Sequence, residues 1–314
     1  MKEANRSRQH AFATGTHSNL RTQFRSYFAY CVYFRRRPLP ADSRTICGYA
    51  QFLSRSLRPQ SIRNYLSGVK MLHILVGHEY RFSEDINLSL VVRGIDRMHP
   101  HVPHRARPVT PYHLRLFFLH MDKQKSLHLT TFACSLILFF TMSRLGSVLP
   151  DSTKTPAHVF LRKECINFTR EGLLVTFLHT KTIQFGKRRL HIPLPRMDSD
   201  LCPVQAYDRS LRAMGSRMPE DAFMFLEGSH LRLLTKKIFI DTFRQVMLLS
   251  GDQDTIGFTG HSFRRGGATS AFQAGIPGEI IQICGDWSSE AYKRYLEFSM
   301  QNKLSIIHKF TKYL

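Results

Sequence analysis

Between Met98 and Pro111 the chain reads Met-His-Pro-His-Val-Pro-His-Arg-Ala-Arg-Pro-Val-Thr-Pro, and no regular helix or central strand can run through it. Each proline removes a backbone donor and biases the residue before it away from helical geometry. A 314-residue chain broken at this point is expected to fold as two domains joined by a linker over residues 99–110. Before the break the apolar spacing is helical. Phe24, Tyr27, Phe28, Cys31 and Phe34 recur at one helical face, and Pro38 and Pro40 end that segment. Asp42 or Ser43 can cap a second helix carrying Ile46, Tyr49, Ala50 and Leu53. A third starts near Pro59 and lines up Ile62, Tyr65, Leu66, Val69, Leu72 and Val76, with Arg63, Asn64, Ser67 and Lys70 opposite. Residues 19–98 therefore predict a small all-α bundle, after a polar lead-in over 1–18 expected to be disordered.

After the break the pattern is mixed. Thr110-Pro111 reads as a helix cap followed by a first-position proline, and a long apolar helix is expected over 127–142. The period then changes: 165–169, 173–179 and 189–194 are short β-favouring runs that predict a three-stranded antiparallel meander. From Cys202-Pro203 helical spacing returns and is expected to continue to Leu314, with loops at 257–260 and 285–289. The fold class is thus mainly α with a small antiparallel sheet: an all-α first domain and an α+β second domain over 111–314.

Charge narrows the partners. The net charge is +22, and it is spread along the chain, with 16 basic against 6 acidic side chains in residues 1–100 and 29 against 17 in the remainder. A polyanion contacting both domains is expected, with nucleic acid ahead of an anionic membrane. The longest apolar run, Leu136-Ile137-Leu138-Phe139-Phe140, is far short of the ~20 residues that span a bilayer. No apolar segment follows Met1-Lys2-Glu3-Ala4-Asn5-Arg6, so a secretory leader is not expected. Six scattered cysteines without a C-x-x-C pair fit a reducing compartment without a disulfide framework. His99, His101 and His104 lack nearby Cys or acidic partners and read as linker rather than a metal tract, so neither a metal nor another cofactor is expected.

Chemistry concentrates in Thr259-Gly260-His261-Ser262-Phe263-Arg264-Arg265-Gly266-Gly267-Ala268-Thr269. In a helix starting here, His261 and Arg264 share a face near the N-terminus, where backbone N–H groups favour an anion. The small residues that follow permit close packing on a neighbour. Downstream, Cys284-Gly285-Asp286-Trp287-Ser288-Ser289-Glu290-Ala291-Tyr292-Lys293-Arg294-Tyr295 holds the sole tryptophan and two tyrosines one turn apart. Met142-Ser143-Arg144-Leu145-Gly146 ends the long apolar helix, and Lys181 and Lys187 lie in the meander.

In this order the motifs resemble the tyrosine recombinase/integrase family. The phrases Lys181-Thr182-Ile183-Gln184-Phe185-Gly186, Ile192-Pro193-Leu194-Pro195 and Gly285-Asp286-Trp287 look like recombinases of eukaryotic mobile elements of the Crypton and DIRS-like kinds. Gln60-Ser61-Ile62-Arg63-Asn64-Tyr65 is similar to that group's core-binding region, which implies a SAM-like N-domain. The resemblance implies a DNA-cutting site. Arg144 and Arg264 would fork onto a scissile phosphate, a geometry lysine cannot copy. Tyr295 would attack phosphorus, with Tyr292 its competitor; a phenol, with a pKa of about 10, needs help to lose its proton, and His261 is the candidate base. Lys181, with Lys187 as competitor, would protonate the departing 5′-oxygen. Trp287 would donate its indole N–H to the phosphate, although Asp286 stands where many relatives have His. Ser147 stands where an acidic residue is common, with Asp151 a turn later.

The resemblance further implies a double-stranded DNA partner clamped between the two domains, no metal or ATP, and self-association as dimers and tetramers on DNA. Arg63, Asn64 and Lys70 are the candidates for entering a groove. The end of the chain, with Leu304, Ile307, Phe310 and Leu314 on one face, predicts a helix that docks on a neighbouring protomer or folds back on its own domain. A nuclear location follows from the expected substrate. A DNA-binding protein that no longer recombines, and relaxation of the type IB topoisomerase kind, remain open alternatives.

Overall fold

A computed structural model describes residues 11–80, 82–100, 105–183, 188–217, 219–296 and 300–311. The chain divides into two compact units, Met1–His104 and Arg105–Leu314, and the division falls within the proline-rich segment.

The first unit is helical: α1 (Thr14–Tyr33), α2 (Ser43–Leu53), α3 (Pro59–Leu75) and α4 (Ile86–Met98). Its first helix begins at Thr14, inside the segment expected to be disordered, because the turn from Ala13 accepts from Thr16 and His17. Asp42 caps α2 by accepting from the Thr45 N–H at 2.6 Å, and Asp85 caps α4 through Asn87 and Leu88. Tyr27, Tyr49, Ile46, Ile62, Val69 and Ile95 fill the core of this unit. Val76, expected on the buried stripe of α3, lies just past the end of that helix and is exposed.

The second unit is built around α6 (Ser126–Phe140), every residue of which from Thr130 to Phe139 is buried. A helix apolar all round cannot sit on a surface, so the rest of the unit wraps it. Preceding it is α5 (Pro111–His120); following it are the short α7 (Leu145–Val148) and the sheet β1 (Ile166–Phe168), β2 (Gly172–Phe177), β3 (Leu190–Pro195). The strands pair antiparallel in the order β1-β2-β3, with Val175 opposite Ile166 on one side and Ile192 on the other. All three side chains point into the core, which pins the register.

Then come α8 (Pro203–Arg212), β4 (Met224–Glu227), β5 (His230–Leu233), α9 (Lys236–Leu249), α10 (Gly260–Gln273), α11 (Gly278–Cys284), a 3₁₀ turn over Glu290–Tyr295, and α12 (Met300–Thr311). The β4–β5 hairpin corrects the expectation of helical spacing from Cys202 up to the loop at 257–260. Glu227 pairs with His230 across a two-residue turn, and Gly228 takes φ of 59°, the left-handed geometry such turns need. Among the described residues no helix is long and apolar enough to cross a membrane.

Close packing of α10 on α6 sets the site. A Cβ on Gly267 would lie 2.1 Å from the Phe139 carbonyl oxygen, so only glycine lets the two backbones approach this closely. The end of α6 and the start of α10 are thereby brought against each other, and with them Arg144 and Arg264.

Candidate active site

Past α6 the chain reverses through Met142, which adopts φ of 49°, and Arg144 becomes the N-cap residue of α7, half-buried. Arg264, one turn into α10, is 2 % exposed. It donates through Nη1 to the Met142 carbonyl, and its guanidinium carbon lies 3.6 Å from the Trp287 ring centroid. Such stacking stabilises a desolvated cation by about 2 kcal/mol. Its Nη2 is buried with no hydrogen-bond partner among the described residues. Burial and then the charge of Arg144 bring its pKa down to about 9, against the opposing effect of Tyr295 and Asp286. The group stays cationic at neutral pH. A buried cation with an unfilled donor is costly, and an arriving anion relieves that cost.

His261 sits at the second position of α10, whose start is capped by Thr259, and its side chain is exposed at one edge. Its pKa is lowered by the protein that desolvates it, then by the charges of Arg264, Arg144 and Lys181. The lowered pKa keeps the imidazole neutral and able to accept a proton at pH 7. Lys181 is exposed in the turn after β2. Lys187 lies outside the described residues.

The two tyrosines separate cleanly. Tyr292 is 4 % exposed and packs on Trp287, with ring centroids 6.2 Å apart, and a Cβ on Gly278 would meet its ring at 3.1 Å. Tyr295 is half-buried, 5.8 Å from the Trp287 centroid, and close enough to Arg264 to act on it by charge and hydrogen bonding. Thr269 donates to the Tyr295 carbonyl, tying the 3₁₀ turn to α10.

Trp287 and Asp286 also take different places. Trp287 lies under Arg264, against the helix that carries it. A Cβ on Gly285 would come 1.7 Å from the indole, so the glycine makes room for this ring. Asp286 is 7 % exposed and accepts from the hydroxyls of Thr180, at 2.8 Å, and Thr182, and from Arg188. Burial alone would raise its pKa; bonds from Thr182, Thr180 and Arg188 prevail and hold it below the ordinary carboxylate range. This network was missed from sequence, since its members are about a hundred positions apart. Ser147 is buried, and Asp151 pairs instead with Lys236 at 2.9 Å.

On the first unit, Asn64 and Lys70 are exposed on α3, whereas Arg63 is paired with Asp96 of α4. In α12, Leu304 and Ile307 are exposed; Lys312 and Leu314 lie outside the described residues.

No protein-family model matches the chain. It is similar to an integrase/recombinase xerD homolog of Selenomonas ruminantium, 24% identical over 275 residues, 85% of this chain and 77% of the relative. Among solved structures it resembles the Tn1549 transposon integrase in complex with transposon right end DNA, with a TM-score of 0.61, 15% identity and 98% of each chain covered. It also resembles a lambda integrase dimer bound to a COC′ core site, at TM-score 0.57 and 15% identity over 94% of this chain and 93% of that one. A third likeness is the XerH recombinase bound to palindromic difH substrate after cleavage, at TM-score 0.59 and 13% identity over 91% and 76% of the two chains. The fold is that of the tyrosine recombinases.

Proposed function

We propose that this protein is a tyrosine recombinase that cuts and rejoins double-stranded DNA at specific sites through a 3′-phosphotyrosyl intermediate. The observation that carries the reading is the buried Arg264 with an unfilled donor, grouped with Arg144, His261, Lys181 and Tyr295 in one unit. That grouping suits a single phosphodiester. The two arginines neutralise charge developing on the nonbridging oxygens, with the Trp287 indole N–H as a further donor. The Tyr295 oxygen forms a bond to phosphorus as its proton passes to His261. The bond from phosphorus to the 5′-oxygen breaks, and Lys181 supplies the proton that makes it a hydroxyl. Reversal by another 5′-hydroxyl rejoins strands, so the bond energy is conserved.

The comparisons support the reading in kind: the similar structures are integrases and recombinases, several bound to DNA. The exposed polar and basic faces, including Asn64 and Lys70, would hold the duplex, and the exposed apolar face of α12 would dock a second copy on DNA. The resemblance to Crypton and DIRS-like elements extends the proposal to an element-encoded enzyme acting in a nucleus; exclusion of a fluorescent fusion from nuclei would remove that extension. The core test is incubation with a nicked suicide duplex. A covalent adduct that disappears in Tyr295→Phe is expected. No adduct would leave a DNA-binding protein without recombinase activity, and relaxation by a monomer without strand exchange would favour topoisomerase action.

A further inference from the structure

The Asp286 network joins two parts of the second unit that the reaction would need to hold together. At the end of α11 the Trp287 N–H bonds the Gln282 carbonyl and the Asp286 N–H bonds that of Ile283, both at 3.1 Å. This is a Schellman cap with Asp286 at its left-handed position, φ 55°. Glycine is the usual residue there, and a side chain at this φ costs roughly 1–2 kcal/mol. The strain is offset by what the carboxylate does: it is nearly buried and accepts from Thr180, Thr182 and Arg188. Thr180 and Thr182 are the immediate neighbours of Lys181. Thr180 also receives the N–H groups of Thr182 and Ile183, so this hydroxyl organises the turn and hands it to Asp286.

We propose that Asp286 is a positioning residue that latches the Lys181 turn to the cap of α11, and thereby sets Lys181 against the phosphate gripped over Trp287. The latch rests on the proposed role of Lys181 as the acid for the 5′-oxygen. Asp286 itself touches no reacting atom. It makes acid delivery depend on the same cap that seats Trp287 beneath Arg264, so the turn and the arginine share one anchor.

The test pairs Asp286→Gly with two DNA substrates, an ordinary suicide duplex and one whose scissile 5′-bridging oxygen is replaced by sulfur. A thiolate departs without a proton, so cleavage of the sulfur substrate bypasses the acid. Glycine relieves the left-handed backbone, so the cap itself is kept in this variant. Thr182→Val, which removes one hydroxyl donor to Asp286 and leaves the N–H bonds of the cap in place, is the second variant. Single-turnover cleavage of ordinary DNA is expected to fall on the order of 10²-fold in Asp286→Gly, and by less in Thr182→Val. The sulfur substrate is expected to be cleaved at nearly the wild-type rate by both. Equal loss on both substrates would overturn the latch and point to Asp286 acting through Arg264. No loss on either would overturn it too. If the wild type forms no adduct with either duplex, the recombinase reading fails and takes the role of Lys181 with it.

Discussion

Arg63 in the helical unit and Arg264 in the second unit are both arginines on a helix, yet their surroundings differ in kind. Arg63 is partly exposed and its charge is met by Asp96, so water and a carboxylate satisfy it. Arg264 is buried, stacked on Trp287, held by a backbone carbonyl, and left with one unfilled donor. An exposed cation offers a polyanion a weak, salt-sensitive contact; a buried one with an empty donor is prepared for an anion of fixed geometry. Under the proposed function, that difference would separate holding a duplex from reacting with one phosphate in it.

The sharpest way to break that comparison is at the nucleophile. Tyr295→Phe is expected to abolish the covalent adduct seen on denaturing gels, while Tyr292→Phe retains it, because the Tyr292 ring serves packing. Next is Arg264→Lys, expected to slow cleavage by about 10²–10³-fold with DNA affinity nearly kept, since a lysine reaches one oxygen where the fork reaches two. An equal loss in Arg63→Lys would erase the distinction between the two regions. The pH profile comes third. His261 has its pKa below 6.5 and is inactive as a base once protonated, so adduct formation at subsaturating DNA should stay level from neutral pH down past 6.5 and fall only below it. An acidic limb above 6.5 would place a different group in that role. The smallest effects are expected on α3. Lys70→Ala should reduce the salt dependence of binding by about one unit of slope, measured by titration at several salt concentrations. Arg63→Ala, which breaks an exposed pair, should change thermal stability by less than about 1 kcal/mol.

Legibility followed distance along the chain. The helices of the first unit could be read from local spacing, and α4 carried its own Asp85 cap, although it had not been delimited. The meander over β1–β3 was legible because its three short runs favour β structure and interrupt the helical period on either side. The β4–β5 hairpin was missed, since four-residue strands between helices carry too little period to compete with the helical pattern around them. In the site, His261 and Arg264 were legible as a pair because three positions on a helix fix their spacing. The spacing from Trp287 favoured Tyr295 over Tyr292. Asp286 and Trp287 were not separable by spacing: adjacent residues in a tight turn point to different places, and since both are 7 % exposed only their partners distinguish them.

The sequence by itself determined the two-part division at the prolines, the mainly helical class and the residue types able to grip a phosphate, because these depend on local backbone chemistry and on charge. Tertiary structure alone decided that Arg264 is buried over Trp287, that Tyr295 rather than Tyr292 lies beside it, and that Asp286 binds the Lys181 turn. Those outcomes arise where chain segments from about twenty to about a hundred residues apart pack together and exclude water, and no local propensity encodes them.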